Sequence, residues 1–288
     1  MIKEGDTVGI IALSGVCDRN KAEQAKANIE AIGLNVRLSR NISDENLYLA
    51  GTDEDKISEL YDFFKDDEIK LILCARGGYG AIRLINKIDY SILKSNPKPF
   101  CGFSDVTALL LMIYRKTGMV TYHSPMACTD FAGDETPAGI NTIHTFFKAV
   151  KEERLRYEGT KIYRAGSAEG VMWGGNLATV VSLCGLDFIP YRNFIFFAED
   201  LNEPVYKIDK MFQQLINIPQ FTRYCKGIVL GDFLGVDNEL WLEDYLSELA
   251  NRLQIPVSGG FKITHSGEKI TIPVGKNAKL KGNVLFID

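Results

Sequence analysis

The chain has 288 residues, 46% of them hydrophobic, which is enough for a substantial buried core in two modest domains or one large one. Lys and Arg number 33 against 37 Asp and Glu, a net charge of -4 with no basic block, so a polyanionic partner such as nucleic acid is not expected. No apolar run reaches membrane-spanning length, the N-terminus lacks a signal-peptide pattern, and six scattered cysteines (Cys17, Cys74, Cys101, Cys128, Cys184, Cys225) show neither metal-ligand nor redox spacing; a soluble cytoplasmic protein with reduced, mostly buried thiols is expected.

Thr7 to Leu13 reads as a buried strand, followed by Asp18 as N-cap of a helix that stops at Gly33, and Asn35 to Ser39 returns as a strand. Thr52 caps a second helix to about Lys65, with Ile57, Leu60, Tyr61 and Phe64 along it. Ile69 to Ala75 is the next strand. A helical segment Ala81 to Ile88, a strand at Phe100-Cys101 and a helix from Val106 to Tyr114 continue the alternation, the signature of parallel βαβ units. The pattern loosens between Phe131 and Arg164, which places an α/β domain at 1–150, a linker at 151–165 and a mixed, β-rich domain at 166–288. In that second domain Asn193 to Ala198 and Gly227 to Leu230 read as strands, Glu203 to Ile216 and Glu239 to Leu253 as helices. Short strands close the chain at Lys269 to Pro273 and Lys279 to Ile287.

Ser104, in Gly102-Phe103-Ser104-Asp105, stands at a strand-to-helix corner. There a hydroxyl projects from the sheet while the first amides of the helix remain unpaired, suiting a nucleophile and a developing oxyanion; a plain helix cap would explain the same position. Arg76-Gly77-Gly78-Tyr79-Gly80 also follows a strand, and its glycines can bring amides close to an anion or carbonyl oxygen. Arg83 occupies the place of the third glycine of a dinucleotide fingerprint and no P-loop occurs, so a nucleotide cofactor is not indicated and a tight turn is an equal reading. Glu199 and Asp200 end a strand, where their side chains should diverge and only one can meet a catalytic histidine. Of the three histidines, His265 in the loop Thr264-His265-Ser266-Gly267 is favoured over His123 and His144. Dispersed histidines without paired cysteines or H-E-x-x-H give no metal site. Asn176 is a candidate N-cap, and Trp173 either core or a lid over a ligand.

Together these motifs resemble the LD-carboxypeptidase family of serine peptidases, which includes muramoyltetrapeptide carboxypeptidase and the microcin C immunity peptidases. The resemblance rests on Gly5-Asp6-Thr7-Val8-Gly9, Ala75 to Gly80, Gly102 to Leu109, Glu169-Gly170 with Gly174-Gly175-Asn176-Leu177, and Glu199-Asp200. At the C-terminal signature Thr264 replaces the usual glycine before the histidine, and Ile272-Pro273-Val274-Gly275 restores the register. The resemblance implies a Rossmann-like N-terminal domain carrying the nucleophile, a β-rich C-terminal domain carrying acid and histidine, and a homodimer acting without metal or other cofactor. It also implies removal of the terminal D-alanine from a peptidoglycan tetrapeptide in the cytoplasm.

The expected catalytic set is Ser104, His265 and Glu199, with an oxyanion hole from the amides of Asp105 and Gly78 and substrate contacts from Arg76, Tyr79, Asn176 and Trp173. Two rival readings remain at this stage: an immunity peptidase cleaving a peptidyl-nucleotide, and a nonenzymatic small-ligand module in which Ser104 only caps its helix.

Overall fold

A computed structural model describes residues 2–133 and 137–288. The N-terminal part runs β1 (Thr7–Ile11), α1 (Arg19–Ala31), β2 (Asn35–Leu38), α2 (Asp53–Lys65), β3 (Ile69–Cys74), α3 (Tyr90–Ser95), β4 (Phe100–Gly102), α4 (Thr107–Thr117), β5 (Thr121–His123) and α5 (Pro137–Val150). The expected caps form: Asp18 accepts the amides of Asn20 and Lys21 at 2.8 and 3.1 Å, and Thr52 that of Asp55 at 3.1 Å. Residues 81–88 depart from expectation. They make a single 3₁₀ turn, Ala81–Arg83, and then irregular turns, although Leu84, Ile85 and Ile88 are still buried. Burial was legible in their spacing, but the backbone closes tighter turns than an α-helix: the amides of Arg83, Leu84 and Lys87 bond to the carbonyls of Gly80, Ala81 and Leu84 at 3.1, 3.1 and 2.8 Å, and Gly80 enters with φ 141°.

The second part contains β6 (Leu155–Glu158), β7 (Lys161–Arg164), β8 (Ser167–Asn176), α6 (Leu177–Ser182), β9 (Phe194–Leu201), α7 (Val205–Ile216), α8 (Pro219–Tyr224), β10 (Cys225–Leu234), α9 (Glu239–Leu253), β11 (Val257–Gly259), β12 (Ile272–Val274), β13 (Asn277–Lys281) and β14 (Val284–Ile287). Two sheets result, a six-stranded one ordered β12-β5-β4-β3-β1-β2 and an eight-stranded one ordered β6-β14-β13-β8-β9-β10-β11-β7. In the first, β1 to β5 pair in parallel and β12 joins antiparallel at the edge; the second is mixed. This is a two-domain α/β fold, as the alternation of elements implied. The segment 151–165 is not a linker, however: β6 and β7 lie within it and occupy opposite edges of the eight-stranded sheet. Short, charged edge strands give little apolar periodicity, so their pairing is invisible locally.

The thiol expectation also changes. Cys17 and Cys128 are bonded as a disulfide, although 111 residues separate them, because α1 packs against the π-helical turn Ala127–Phe131; Cys74, Cys101, Cys184 and Cys225 are free.

Close backbone approach makes one glycine indispensable. At Gly174, with φ 147°, a Cβ would stand 1.9 Å from the Phe197 carbonyl oxygen, so β8 and β9 could not remain paired. Gly174→Ala should therefore lose more than about 4 kcal/mol or fail to fold. Gly118→Ala, left-handed at φ 78° but with no heavy atom within 4 Å, should lose only about 1–2 kcal/mol. Urea denaturation of the two variants compares these directly.

Candidate active site

Ser104 follows the end of β4 with φ 61°, a left-handed conformation that costs a non-glycine residue about 1–3 kcal/mol. Strain of this kind at a strand-to-helix corner presents the hydroxyl away from the sheet. Gly77 lies directly against it: a Cβ there would come within 2.9 Å of Ser104 Cβ and 3.0 Å of its Oγ. The turn is thus glycine because the serine needs the space. Gly78 is exposed with φ 108°, and among the described residues no backbone group accepts the amides of residues 77–80 or of Asp105. Two segments therefore bring free N–H groups to the neighbourhood of one hydroxyl.

Glu199 and His265 meet from opposite ends of the second domain. Glu199 lies near the end of β9, completely buried, and its Oε2 accepts from His265 Nδ1 at 2.6 Å. Burial pushes the Glu199 carboxyl above the ordinary carboxylate range, and the bond to His265 acts against that rise. With Nδ1 given to the carboxylate, Nε2 is the imidazole nitrogen left for proton transfer. The His265 ring sits 4.9 Å from that of Phe103, the residue preceding Ser104. A buried carboxylate and an imidazole are thereby joined against the residue that precedes a strained serine, an arrangement suited to nucleophilic attack with base assistance.

Asp200 turns away, as alternation along a strand requires. Its oxygens accept from Asn176 Nδ2, the Ala178 amide and the Leu201 amide, each at 2.9 Å. Asn176 also caps α6 through Thr179, so its side chain is spent on structure and the expected substrate contact is corrected to a positioning role beside the acids. Trp173 is likewise corrected. It is fully buried, packed with its centroid 5.0 Å from Phe194 and 5.5 Å from Phe188, because the inward face of a central strand needs large apolar volume there. Arg76 lies exposed with Nη1 on the Val16 carbonyl at 3.0 Å, and half-exposed Tyr79 pairs with Tyr48 at 5.8 Å between centroids. Both border the glycine turn.

Lys269 escaped the sequence reading, and His123 entered it only as a less favoured histidine. Lys269 is buried on Asp130 at 2.5 Å and stands 5.5 Å over the Phe103 ring. His123 is also buried, flanked by Phe103 and Phe197 at 5.8 and 5.3 Å, and its pKa is lowered to about 3 by burial first and then by the charges of His265 and Lys269. Position four after a histidine is no signal for the lysine, and only the β4–β5 pairing of Gly102 with His123 brings the second imidazole close.

Models of the LD-carboxypeptidase N-terminal and C-terminal domains match residues 8–124 and 169–280. A probable murein peptide carboxypeptidase of Bacillus subtilis is 35% identical, covering 97% of this chain and 90% of its own. Among solved structures, the microcin C7 self immunity protein MccF in complex with aspartyl sulfamoyl adenosine superposes with a TM-score of 0.90 at 25% identity, covering 99% of this chain and 96% of its own. The muramoyltetrapeptide carboxypeptidase from Oxalobacter formigenes gives a TM-score of 0.88 at 25% identity, covering 98% and 97%.

A buried neutral histidine binds fewer protons folded than unfolded, so its contribution falls as the pH drops from its unfolded value near 6.5 toward about 3. Between pH 7 and pH 5 the wild type should lose about 2 kcal/mol relative to His123→Asn, whose other titrating groups are unchanged. Urea titrations at the two pH values should show this difference; equal slopes for the two proteins would contradict a buried neutral His123.

Proposed function

The chain belongs to the LD-carboxypeptidase family, and from that premise we propose that Ser104, His265 and Glu199 are the catalytic triad of this serine-type carboxypeptidase. The observation that carries the reading is the 2.6 Å bond between His265 Nδ1 and buried Glu199, made beside the strained corner of Ser104. Ser104 Oγ attacks the scissile carbonyl while His265 Nε2 takes its proton, and the C–N bond breaks as that proton passes to the leaving amine. Water then repeats the sequence on the acyl-enzyme. Glu199 holds the imidazole in its tautomer and supports the imidazolium electrostatically. The amides of Asp105 and Gly78 receive the oxyanion, each contributing on the order of 3 kcal/mol to transition-state stabilisation.

The substrate is a peptidoglycan tetrapeptide, cleaved before its terminal D-alanine during murein recycling, in keeping with the murein peptide and muramoyltetrapeptide carboxypeptidases that resemble the chain. Arg76 and Tyr79, exposed at the rim of the glycine turn, are proposed to meet it. We further propose a cytoplasmic homodimer. No helix among the described residues is long and apolar enough to cross a membrane.

Ser104→Ala should fold normally and lose at least about 10⁴-fold in kcat, His265→Ala about as much, and Glu199→Gln less. Near-wild-type hydrolysis by folded Ser104→Ala would reject the mechanism. For the substrate, the enzyme should release D-alanine from the tetrapeptide and leave the same peptide ending in L-alanine intact, since inversion misplaces the terminal carboxylate and methyl while the carbonyl must stay at Ser104. Cleavage confined to a peptidyl-adenylate mimic would keep the hydrolase and move the assignment to the immunity reading, for which the likeness to MccF speaks.

A further inference from the structure

We propose that the Asp105 carboxylate is a positioning group for the oxyanion site, fastening the glycine turn to the nucleophile corner so that the Gly78 and Asp105 amides keep a fixed separation. The inference rests on the reading of Ser104 as nucleophile. Asp105 Oδ2 accepts the amide of Ala81 at 2.9 Å in a buried setting, and Ala81 stands three residues beyond Gly78. The turn between them has little to hold it: Gly78 and Gly80 are both left-handed, and Tyr79 is half exposed. Its other anchors run elsewhere, from Cys128 to the Ala75 carbonyl at 2.8 Å and from Gly15 to the Gly77 carbonyl at 3.1 Å. Among these bonds, the one to Asp105 alone reaches the segment that carries Ser104.

A negative side chain beside a developing oxyanion opposes the reaction, so an amide donor alone gives no reason for an aspartate here. Burial raises the Asp105 carboxyl above the ordinary carboxylate range, and the Ala81 amide, the Ser14 hydroxyl and the charge of Lys56 act against that rise. Lys56 is completely buried, 3.4 Å from Asp53, and its positive charge favours the ionised form of Asp105. Asp53 in turn holds Arg83 at 3.1 Å and Lys87 at 2.9 Å, and Arg83 belongs to the same 3₁₀ turn as Ala81. The turn is thus tied through the Ala81 amide to Asp105 and through the half-exposed Arg83 guanidinium to Asp53, two buried carboxylates that share the charge of Lys56. Removing one partner from such a group leaves the remainder uncompensated.

Oxyanion donors act at 2.7–3.1 Å, and a displacement of about 1 Å can lower the rate about 10²-fold. Asp105→Ala, which keeps the backbone amide but deletes the tie, should therefore lower kcat on the tetrapeptide about 10²-fold with KM within about threefold. Asp105→Asn retains an acceptor oxygen without the charge and should fall between, at about 10-fold. Affinity for a peptidyl boronic acid, whose adduct carries a tetrahedral oxyanion, should weaken in step with kcat. Substrate Kd measured in a Ser104→Ala background should not change when Asp105→Ala is added. Should Asp105→Ala fail to fold, Asp105→Asn and Lys56→Met carry the same comparison, Lys56→Met being expected to lower kcat about 10-fold by removing the countercharge. Wild-type kcat in the folded Asp105 variants overturns the proposal, as does a loss borne equally by ground-state affinity. Turnover by Ser104→Ala would instead remove the nucleophile assignment beneath it, so the two failures are distinct.

Discussion

Three residues near the end of the chain, Ile272 to Val274, pair antiparallel with Thr121 to His123 and so enter the sheet built by the first half of the sequence. Much of the site's geometry depends on this crossing. The segment before it leaves the eight-stranded sheet at Gly259 and reaches the six-stranded sheet at Ile272, so the loop bearing His265 is anchored in both. Within it, the Ile270 amide bonds back to Lys262 at 2.9 Å, and α5 holds Lys269 through Thr142 at 2.9 Å. A histidine carried on a loop thereby gains the placement that a proton-transfer group requires.

The second sheet meets this arrangement from its own strand ends. Asn176 and Glu199 are register partners at the close of β8 and β9, and a Cβ on Gly175 would lie 2.5 Å from the Thr107 methyl, so β8 presses directly on the start of the helix after Ser104. A small residue at that contact lets β8 approach the start of α4 closely. The charges assembled there are buried and individually unfavourable, but each has a partner. Glu199 has His265, Asp200 has Asn176 and two amides, Asp130 has Lys269, and Asp105 has the Ala81 amide. His123, flanked by two phenylalanine rings, is kept neutral and adds no further charge.

Local sequence carried the features that depend on local physics. Asp18, Thr52 and Asn176 are N-caps because their short oxygen-bearing side chains reach amides two or three residues on. The strand-to-helix corner at Ser104 was readable from an apolar run meeting a helical pattern, and the divergence of Glu199 and Asp200 from the period of two in a strand. The aromatic content of β9 and the span of α9 announced a buried strand and a long helix in the same way.

What the chain by itself determined, then, was the type of each long element, the burial of its apolar face and the chemical character of the candidate site. Only tertiary structure decided which distant groups would touch. Residues 81–88 had the apolar spacing of a helix, but they form tighter turns, and a carboxylate from position 105 holds their first amide. Cys17 met Cys128, the edge strands β6 and β7 found their partners, and Trp173 became core while Asn176 turned to Asp200. These outcomes rest on pairings between residues tens to more than a hundred positions apart, whose energies arise only after the backbone has brought the partners together, so no pattern within a helical turn or a strand can encode them.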